Sequence, residues 1–193
     1  MSLSILMVGN SLTAANAMPT ILASLLDAQV VAITRGGARL AEFANPATKT
    51  GSRVLQALDG NEAQAGPECF GYVIMQDMSH LPATNPSAHE RAVAKMCELV
   101  RDHGAIPVLY GTWGYREGSA KLKKLGMNAV QMGRLMHEGS LRAATAHGAI
   151  FVDMAKAVAQ MEDADWFYAA DGVHPSPAGS QLVAQTIADA LCC

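Results

Sequence analysis

The 193-residue sequence lacks several features that would assign it to common classes of protein. It has no apolar run near the roughly 18 residues that a bilayer-spanning helix needs, so we expect no membrane span. Its formal net charge is only −3, and no block of like charges stands out. The weak charge argues against nucleic acid or an anionic membrane surface as the main partner.

The sequence also lacks a cysteine pattern typical of metal or disulfide sites. Cys69, Cys97, Cys192 and Cys193 show neither C-x-x-C spacing nor the framework of a small secreted domain. We therefore expect reduced thiols and no metal site. The N-terminus shows no basic stretch and no signal-peptide cleavage site, which favours a cytoplasmic protein. The alternative is an exported protein whose signal has been removed.

Five short apolar segments alternate with helical patterns along the chain. These segments cover residues 4–8, 30–34, 72–75, 106–110 and 149–152. They show no polar alternation, as is typical of strands buried on both faces. The alternation predicts a single domain over residues 1–193 with an α/β fold. We expect three α/β/α layers around a flavodoxin-like five-stranded parallel sheet of order 2-1-3-4-5.

Apolar residues recur every four positions in two further stretches, which predicts helices over 87–103 and 119–147. Met127, Met132 and Met136, at helical spacing in the second stretch, are predicted to fill the core. Ser176 followed by Pro177 predicts the N-cap and first turn of a last helix that runs to Leu191.

Glycines and polar or aromatic residues follow the predicted strands, at the edge where open parallel sheets bind ligands. Ser11 follows the first strand, Gly37 the second and Gln76 the third. Trp113 and Tyr115 follow the fourth. The predicted fold brings these residues to one rim.

The segment after the fifth strand carries Asp171 and His174, three residues apart. A serine hydroxyl is a weak nucleophile until a base takes its proton, and histidine is the usual base. That histidine needs an acceptor that sets its tautomer. We therefore predict Ser11 as nucleophile, His174 as general base and Asp171 as its orienting partner. His80, after the third strand, is the competing base.

Acyl transfer also needs hydrogen-bond donors aimed at the oxyanion of the tetrahedral intermediate. The candidates are the backbone N–H groups of Ser11 and Gly37 and the side-chain amide of Gln76. Glycine at position 37 lets the main chain approach a substrate without a Cβ in the way.

Three residues are expected to contact the substrate beside these groups, namely Asn10, Trp113 and Tyr115. For Trp113 the alternative is packing beneath a loop. The four histidines expected on helices or helix ends, facing solvent, are His89, His103, His137 and His147.

Four segments resemble blocks of the SGNH, or GDSL-type, hydrolases in the right order and across essentially the whole chain. They read VGNSLT, RGGARL, VIMQDMS and DGVHPS. The resemblance implies that Ser11 is the nucleophile, that Asp171 and His174 complete a catalytic triad, and that Gly37 donates to the oxyanion. Gly36 is the second choice for that donor.

The chain departs from the family pattern in two blocks. Asn10 replaces the aspartate of Gly-Asp-Ser-Leu and can still form hydrogen bonds at the turn. In the third block Gln76 stands where the family has an asparagine that donates to the oxyanion, and a Q-[D/E]-x-S version resembles one branch of the family. Asp77 is the alternative feature of this block, as a residue that braces the loop.

The resemblance implies a serine esterase that needs no cofactor and hydrolyses short acyl esters, with acetyl esters of a carbohydrate or another small molecule favoured. The alternatives are an acyltransferase with the same triad and a non-catalytic flavodoxin-like binding module. The sequence contains neither the G-x-S-x-G elbow of α/β-hydrolases nor a P-loop. It leaves the acyl group, the alcohol and the oligomeric state open.

Overall fold

The computed structural model describes residues 3–60 and 69–192 of the chain. Its centre is a parallel sheet of order β2-β1-β3-β4-β5. The strands are β1 (Ser4–Gly9), β2 (Gln29–Thr34), β3 (Tyr72–Met75), β4 (Ile106–Gly111) and β5 (Ile150–Asp153). The predicted fold class and strand order are confirmed, and each end of each strand lies within one residue of its predicted position.

Helices cover both faces of the sheet. They are α1 (Ser11–Ala14), α2 (Met18–Leu26), α3 (Leu40–Phe43), α4 (Lys49–Leu58), α5 (Leu81–Thr84), α6 (Pro86–Asp102), α7 (Ala120–Leu125), α8 (Ala129–Ala146), α9 (Met154–Ala159) and α10 (Pro177–Leu191). Helix α10 begins as predicted, because the Ser176 hydroxyl accepts the N–H of Gly179 at 3.0 Å. Two 3-10 turns occur at Ala15–Ala17 and Asp165–Phe167.

The stretch predicted as helical over 119–147 is two helices, α7 and α8. Gly126 ends α7 in the left-handed conformation with φ +67°, and the Asn128 side chain caps α8. The four-residue spacing continues across this break, so periodicity alone does not reveal it. Met132 and Met136 of α8 are fully buried in the core, as predicted, whereas Met127, between the two helices, is only partly buried against it.

Successive residues of β1 enter two different cores, because side chains alternate along a strand. Ile5 and Met7 pack with residues of α2 and α10. Leu6 and Val8 pack with residues of α4 and α6 on the other face. All four side chains are fully buried, so the end of β1 is rigidly placed.

All five strands are parallel, so the loops after them meet at one edge of the sheet. In the described ranges, no helix combines the length and the apolar character that crossing a membrane requires.

Candidate active site

Ser11 lies where β1 passes into α1. The side chain of Asn10 accepts the N–H of Leu12 at 3.1 Å and so caps the helix. Ser11 is the first residue of α1, and the N–H groups of a first turn have no acceptor within their own helix. The backbone N–H and the hydroxyl of Ser11 are therefore presented together at the sheet edge.

The hydroxyl of Ser11 begins a chain of hydrogen bonds that links opposite ends of the sequence. Ser11 Oγ lies 2.8 Å from His174 Nε2, and His174 Nδ1 lies 2.6 Å from Asp171 Oδ2. Asp171 Oδ1 accepts the N–H groups of Val173 and His174, each at 3.0 Å. The structure thus brings together the three residues predicted as nucleophile, base and orienting carboxylate.

The carboxyl group of Asp171 has a low pKa. Its slight burial acts to raise the pKa, but hydrogen bonds from the His174 side chain and from the backbone of Val173 and His174, together with the charge of His174, lower it to about 2. Asp171 is therefore an anion throughout the neutral range, and an anion at Nδ1 favours the tautomer in which Nε2 can accept a proton.

A cleft of about 290 Å³ opens in front of Ser11. The predicted site residues that line it are Asn10, Ser11, Gly37, Tyr115 and His174. Gln76 and Trp113 are not among its lining residues. Together with residues of the loop after β3, the cleft therefore joins the loops after β1, β2 and β4 with the loop that carries His174.

Solved structures similar to this chain show the same architecture. A candidate SGNH hydrolase from Slackia heliotrinireducens is 49% identical with a TM-score of 0.90, and the match covers 99% of this chain and 100% of that one. This chain belongs to the SGNH hydrolase family. The fold is that of esterase- and lipase-type hydrolases.

More distant structures share the fold alone. A DUF4886 family protein from Bacteroides uniformis is 16% identical with a TM-score of 0.71, over 99% of this chain and 83% of that one. A lipase/acylhydrolase from Enterococcus faecalis is 16% identical with a TM-score of 0.65, over 97% and 94% of the two chains. Neither a protein-family model nor a curated protein matches the sequence.

In this SGNH hydrolase, Gly37 occupies a tight turn at the mouth of the cleft. The N–H of Ala38 donates to the carbonyl of Arg35 at 3.1 Å, and Gly37 has φ +67°. Glycine adopts this conformation without steric cost, and the N–H of the third residue in a turn takes no part in closing it. Gly37 lines the cleft, whereas Gly36 does not.

Gln76 is fully buried beneath the Ser11 turn. Its side-chain oxygen accepts the N–H of Asn10 at 2.9 Å and the hydroxyl of Thr13 at 3.0 Å, while its amide nitrogen donates to the Asp77 carbonyl. A backbone N–H can only donate and a carbonyl can only accept, so these partners set the orientation of the amide. This placement differs from the expected donation to the oxyanion, because the amide is bonded to the turn itself.

Trp113 also differs from its expected contact with substrate. Only 1% of the residue is exposed, and its indole N–H donates to the carbonyl of Val173 at 2.9 Å. The backbone N–H of Arg116 donates to the carbonyl of Gly172 at 2.8 Å in the same loop. The segment after β4 therefore supports the loop between Asp171 and His174 from below.

The prediction that His89 faces solvent is wrong. His89 is 1% exposed, and its Nδ1 lies 2.8 Å from Asp77 Oδ2. The other oxygen of Asp77 accepts the N–H groups of Leu40 and Met78, each at 2.7 Å. Asp77 thus braces the loops around the cleft. The other histidines predicted to face solvent, His103, His137 and His147, are partly exposed.

Asn16 is a residue of the site that the sequence analysis missed. Its side-chain amide donates to the Pro175 carbonyl at 3.0 Å and to the Ser180 hydroxyl at 2.9 Å. Asn16 itself has φ 51°, a left-handed conformation that asparagine tolerates better than most residues. It connects the Ser11 helix to the loop after His174, and no motif in the sequence signals this contact.

His80, the competing base, lines the cleft but contacts a different hydroxyl. Its Nδ1 lies 3.3 Å from the hydroxyl of Tyr115, which lies 2.6 Å from the Ser79 hydroxyl. Burial, followed by the charges of Arg39 and Lys121, lowers the pKa of His80, with Asp77 acting in the opposite direction. The described residues contain no group of three or more His, Cys, Asp or Glu side chains placed to hold a metal ion.

Proposed function

We propose that this SGNH hydrolase is a serine esterase acting on short-chain acyl esters, above all acetyl esters, of a carbohydrate or another small molecule. The observation that carries the proposal is the hydrogen-bonded chain from Ser11 through His174 to Asp171, with distances of 2.8 and 2.6 Å. The cleft of about 290 Å³ is at the small end of ligand pockets, which favours a short ester over a long-chain lipid.

The reaction begins when His174 Nε2 accepts the hydroxyl proton of Ser11 as Oγ attacks the ester carbonyl carbon. The backbone N–H groups of Ser11 and Gly37 donate to the resulting oxyanion. Protonated His174 then gives its proton to the leaving alkoxide oxygen, which releases the alcohol and leaves acyl-Ser11. Asp171 stays ionised and stabilises the imidazolium during this step.

Water completes the cycle. His174 takes a proton from the water as its oxygen attacks the acyl carbon. The second tetrahedral intermediate then collapses as His174 returns this proton to Ser11 Oγ, which releases the acid and free Ser11. No cofactor takes part in either half of this reaction. Gln76 contributes by holding the Asn10 N–H, and thereby the turn that orients the Ser11 backbone.

The test is hydrolysis of p-nitrophenyl acetate and butyrate by the wild type and by Ser11→Ala and His174→Ala. We expect each substitution to lower kcat/KM by at least about 10³-fold. His80→Ala is the matched control, because it removes the other cleft histidine, and it should retain most of the activity. Equal rates for wild type and Ser11→Ala would overturn the proposal. A single burst of p-nitrophenol, with continued release only after an alcohol is added, would instead indicate acyl transfer.

A further inference from the structure

One wall of the cleft is formed by a short basic helix. Lys121, Lys124 and Leu125 of α7 all line the cleft. Residues three and four apart lie on the same face of a helix, so these side chains form one surface. Leu122, which is 1% exposed, packs into the core and anchors α7. Lys121 and Lys124 therefore border the same cleft as Ser11.

A third positive charge lies near the same space. Arg39 and Lys121 are, after burial, the largest causes that lower the pKa of His80. His80 lines the cleft, so both charges act on the volume that a substrate would occupy. Arg39 follows the Gly37 turn and Lys121 belongs to α7, so the two charges come from separate elements of the fold.

No acidic residue among those described lines the cleft beside these cations, although the charge of Asp77 also acts on His80, in the opposite direction. None of the residues that line the cleft, within the ranges the structure covers, is Asp or Glu. The acidic side chains nearby have other partners: Asp77 pairs with His89, Asp171 with His174, and Glu42 with Arg35.

Lys121 and Lys124 form no ion pair with any carboxylate in the described part of the chain. Lys123, on the same helix, does not line the cleft. Of the three lysines of α7, Lys121 and Lys124 therefore bring positive charge to the cleft wall.

We propose that the ester substrate carries an anionic group, a carboxylate or a phosphate, that Lys121 and Lys124 bind while its carbonyl lies at Ser11. The inference rests on the proposed esterase function and names the substrate class of the same site. The anionic group can belong to either half of the ester, the alcohol or the acyl chain, because the lysines would bind it in the same way. The apolar stem of each lysine and Leu125 pack against the part of the substrate that joins the anion to the ester.

The test compares two pairs of esters that differ in one charge. The first pair is 4-acetoxybenzoate and neutral 4-acetoxybenzamide, with the charge on the alcohol. The second is p-nitrophenyl hydrogen adipate and its methyl ester, with the charge on the acyl chain. We expect the anionic member of at least one pair to have a kcat/KM about tenfold higher at low ionic strength, with a preference that shrinks as salt is added.

The variants Lys121→Gln and Lys124→Gln, singly and together, locate the effect. Each single substitution should lower kcat/KM for the preferred anion by roughly threefold to fivefold, and the double variant should abolish the preference. Lys123→Gln is the matched control, because it removes the same charge from the same helix outside the cleft, and it should leave the preference unchanged.

Equal kcat/KM within both pairs, or a preference that the double variant retains, overturns the inference. Hydrolysis that still depends on Ser11 then leaves the proposed function standing. If the proposed function itself is wrong, the result is different: none of the four esters is then hydrolysed in a Ser11-dependent way. In that case calorimetric binding of 4-acetoxybenzoate to Ser11→Ala decides the inference: binding that Lys121→Gln/Lys124→Gln removes supports it, and no binding overturns it.

Discussion

His89 Nδ1 lies 2.8 Å from Asp77 Oδ2, and each side chain is only 2% exposed. Because Asp77 also accepts the N–H groups of Leu40 and Met78, one carboxylate connects α6 to the loops after β2 and β3. Those loops carry Gly37 and part of the cleft wall. The buried pair therefore ties the loop that carries Gly37, the proposed oxyanion donor, to α6.

His89→Leu should destabilise the protein by about 2–4 kcal/mol, because it leaves a carboxylate oxygen of Asp77 buried without its partner. The kcat for p-nitrophenyl acetate should also fall, since the loop that carries Gly37 loses its support. Denaturant unfolding and steady-state kinetics on the same preparation measure both effects.

The control for this prediction is the double variant Asp77→Asn/His89→Leu. The side-chain oxygen of the introduced asparagine can keep accepting the N–H groups of Leu40 and Met78 but carries no charge, so the double variant should be more stable than His89→Leu alone. If the stability losses of Asp77→Asn and His89→Leu, each measured alone, add up to the loss of the double variant, this would contradict a direct coupling between the two residues.

The sequence predicts the parts of this protein that depend on local pattern. The apolar segment 4–8 predicts β1 because its residues face two cores, and Asp171 and His174 belong to one short motif. The Asp77–His89 pair joins a loop to a helix that packs there only in the folded chain, so no spacing reveals it. Trp113 shows the same limit. Its position after β4 predicts the correct rim, but whether it faces substrate or core depends on packing.

Trp113→Phe tests whether this residue acts through the His174 loop. The substitution removes the buried donor of the Val173 carbonyl and places a smaller ring in the core. We therefore expect a stability loss of about 2–4 kcal/mol. The kcat should fall roughly tenfold as His174 becomes less well oriented. The ratio of kcat/KM for butyrate and acetate should stay unchanged, because Trp113 does not line the cleft.

Tyr115→Phe is the matched comparison, because it removes only a hydroxyl from a ring that does line the cleft. It should alter KM or chain-length preference more than Trp113→Phe does. A change in chain-length preference confined to Trp113→Phe would restore the substrate-contact interpretation of Trp113.

Gly37→Ala should lower kcat by about tenfold or more, because alanine disfavours φ +67° and the turn must move the proposed oxyanion donor. No atom lies within 4 Å of a Cβ built at position 37, so the effect is conformational rather than a clash. Gly36→Ala is the control in the same turn. A Cβ built at position 36 also has no atom within 4 Å, and Gly36 does not have a positive φ. Activity and stability should therefore stay near the wild-type values.

Gln76→Met separates bracing from oxyanion donation. Loss of the amide leaves the Asn10 N–H buried without an acceptor, which should cost about 1–3 kcal/mol of stability. If bracing is its role, kcat should fall by less than about tenfold in the folded protein. A fall of 10²–10³-fold with unchanged thermal stability would instead indicate that Gln76 donates to the oxyanion. Thermal unfolding and kcat with p-nitrophenyl acetate distinguish the two results.

Asp171→Asn removes the anion that orients His174. Because a neutral amide no longer selects the required tautomer, we expect kcat to fall by about 10³–10⁴-fold across the neutral range.

The pKa of Asp171 in the folded protein is about 2, below the ordinary value of 3.8, so its pairing stabilises the fold above about pH 4. That contribution should disappear as the pH falls from about 4 towards 2. Since the side chain is 44% exposed, it should amount to no more than about 1 kcal/mol. Denaturant unfolding of wild type and Asp171→Asn between pH 2 and 7 measures it. A stability difference that persists unchanged down to pH 2 would contradict the assignment of the low pKa to this carboxyl group.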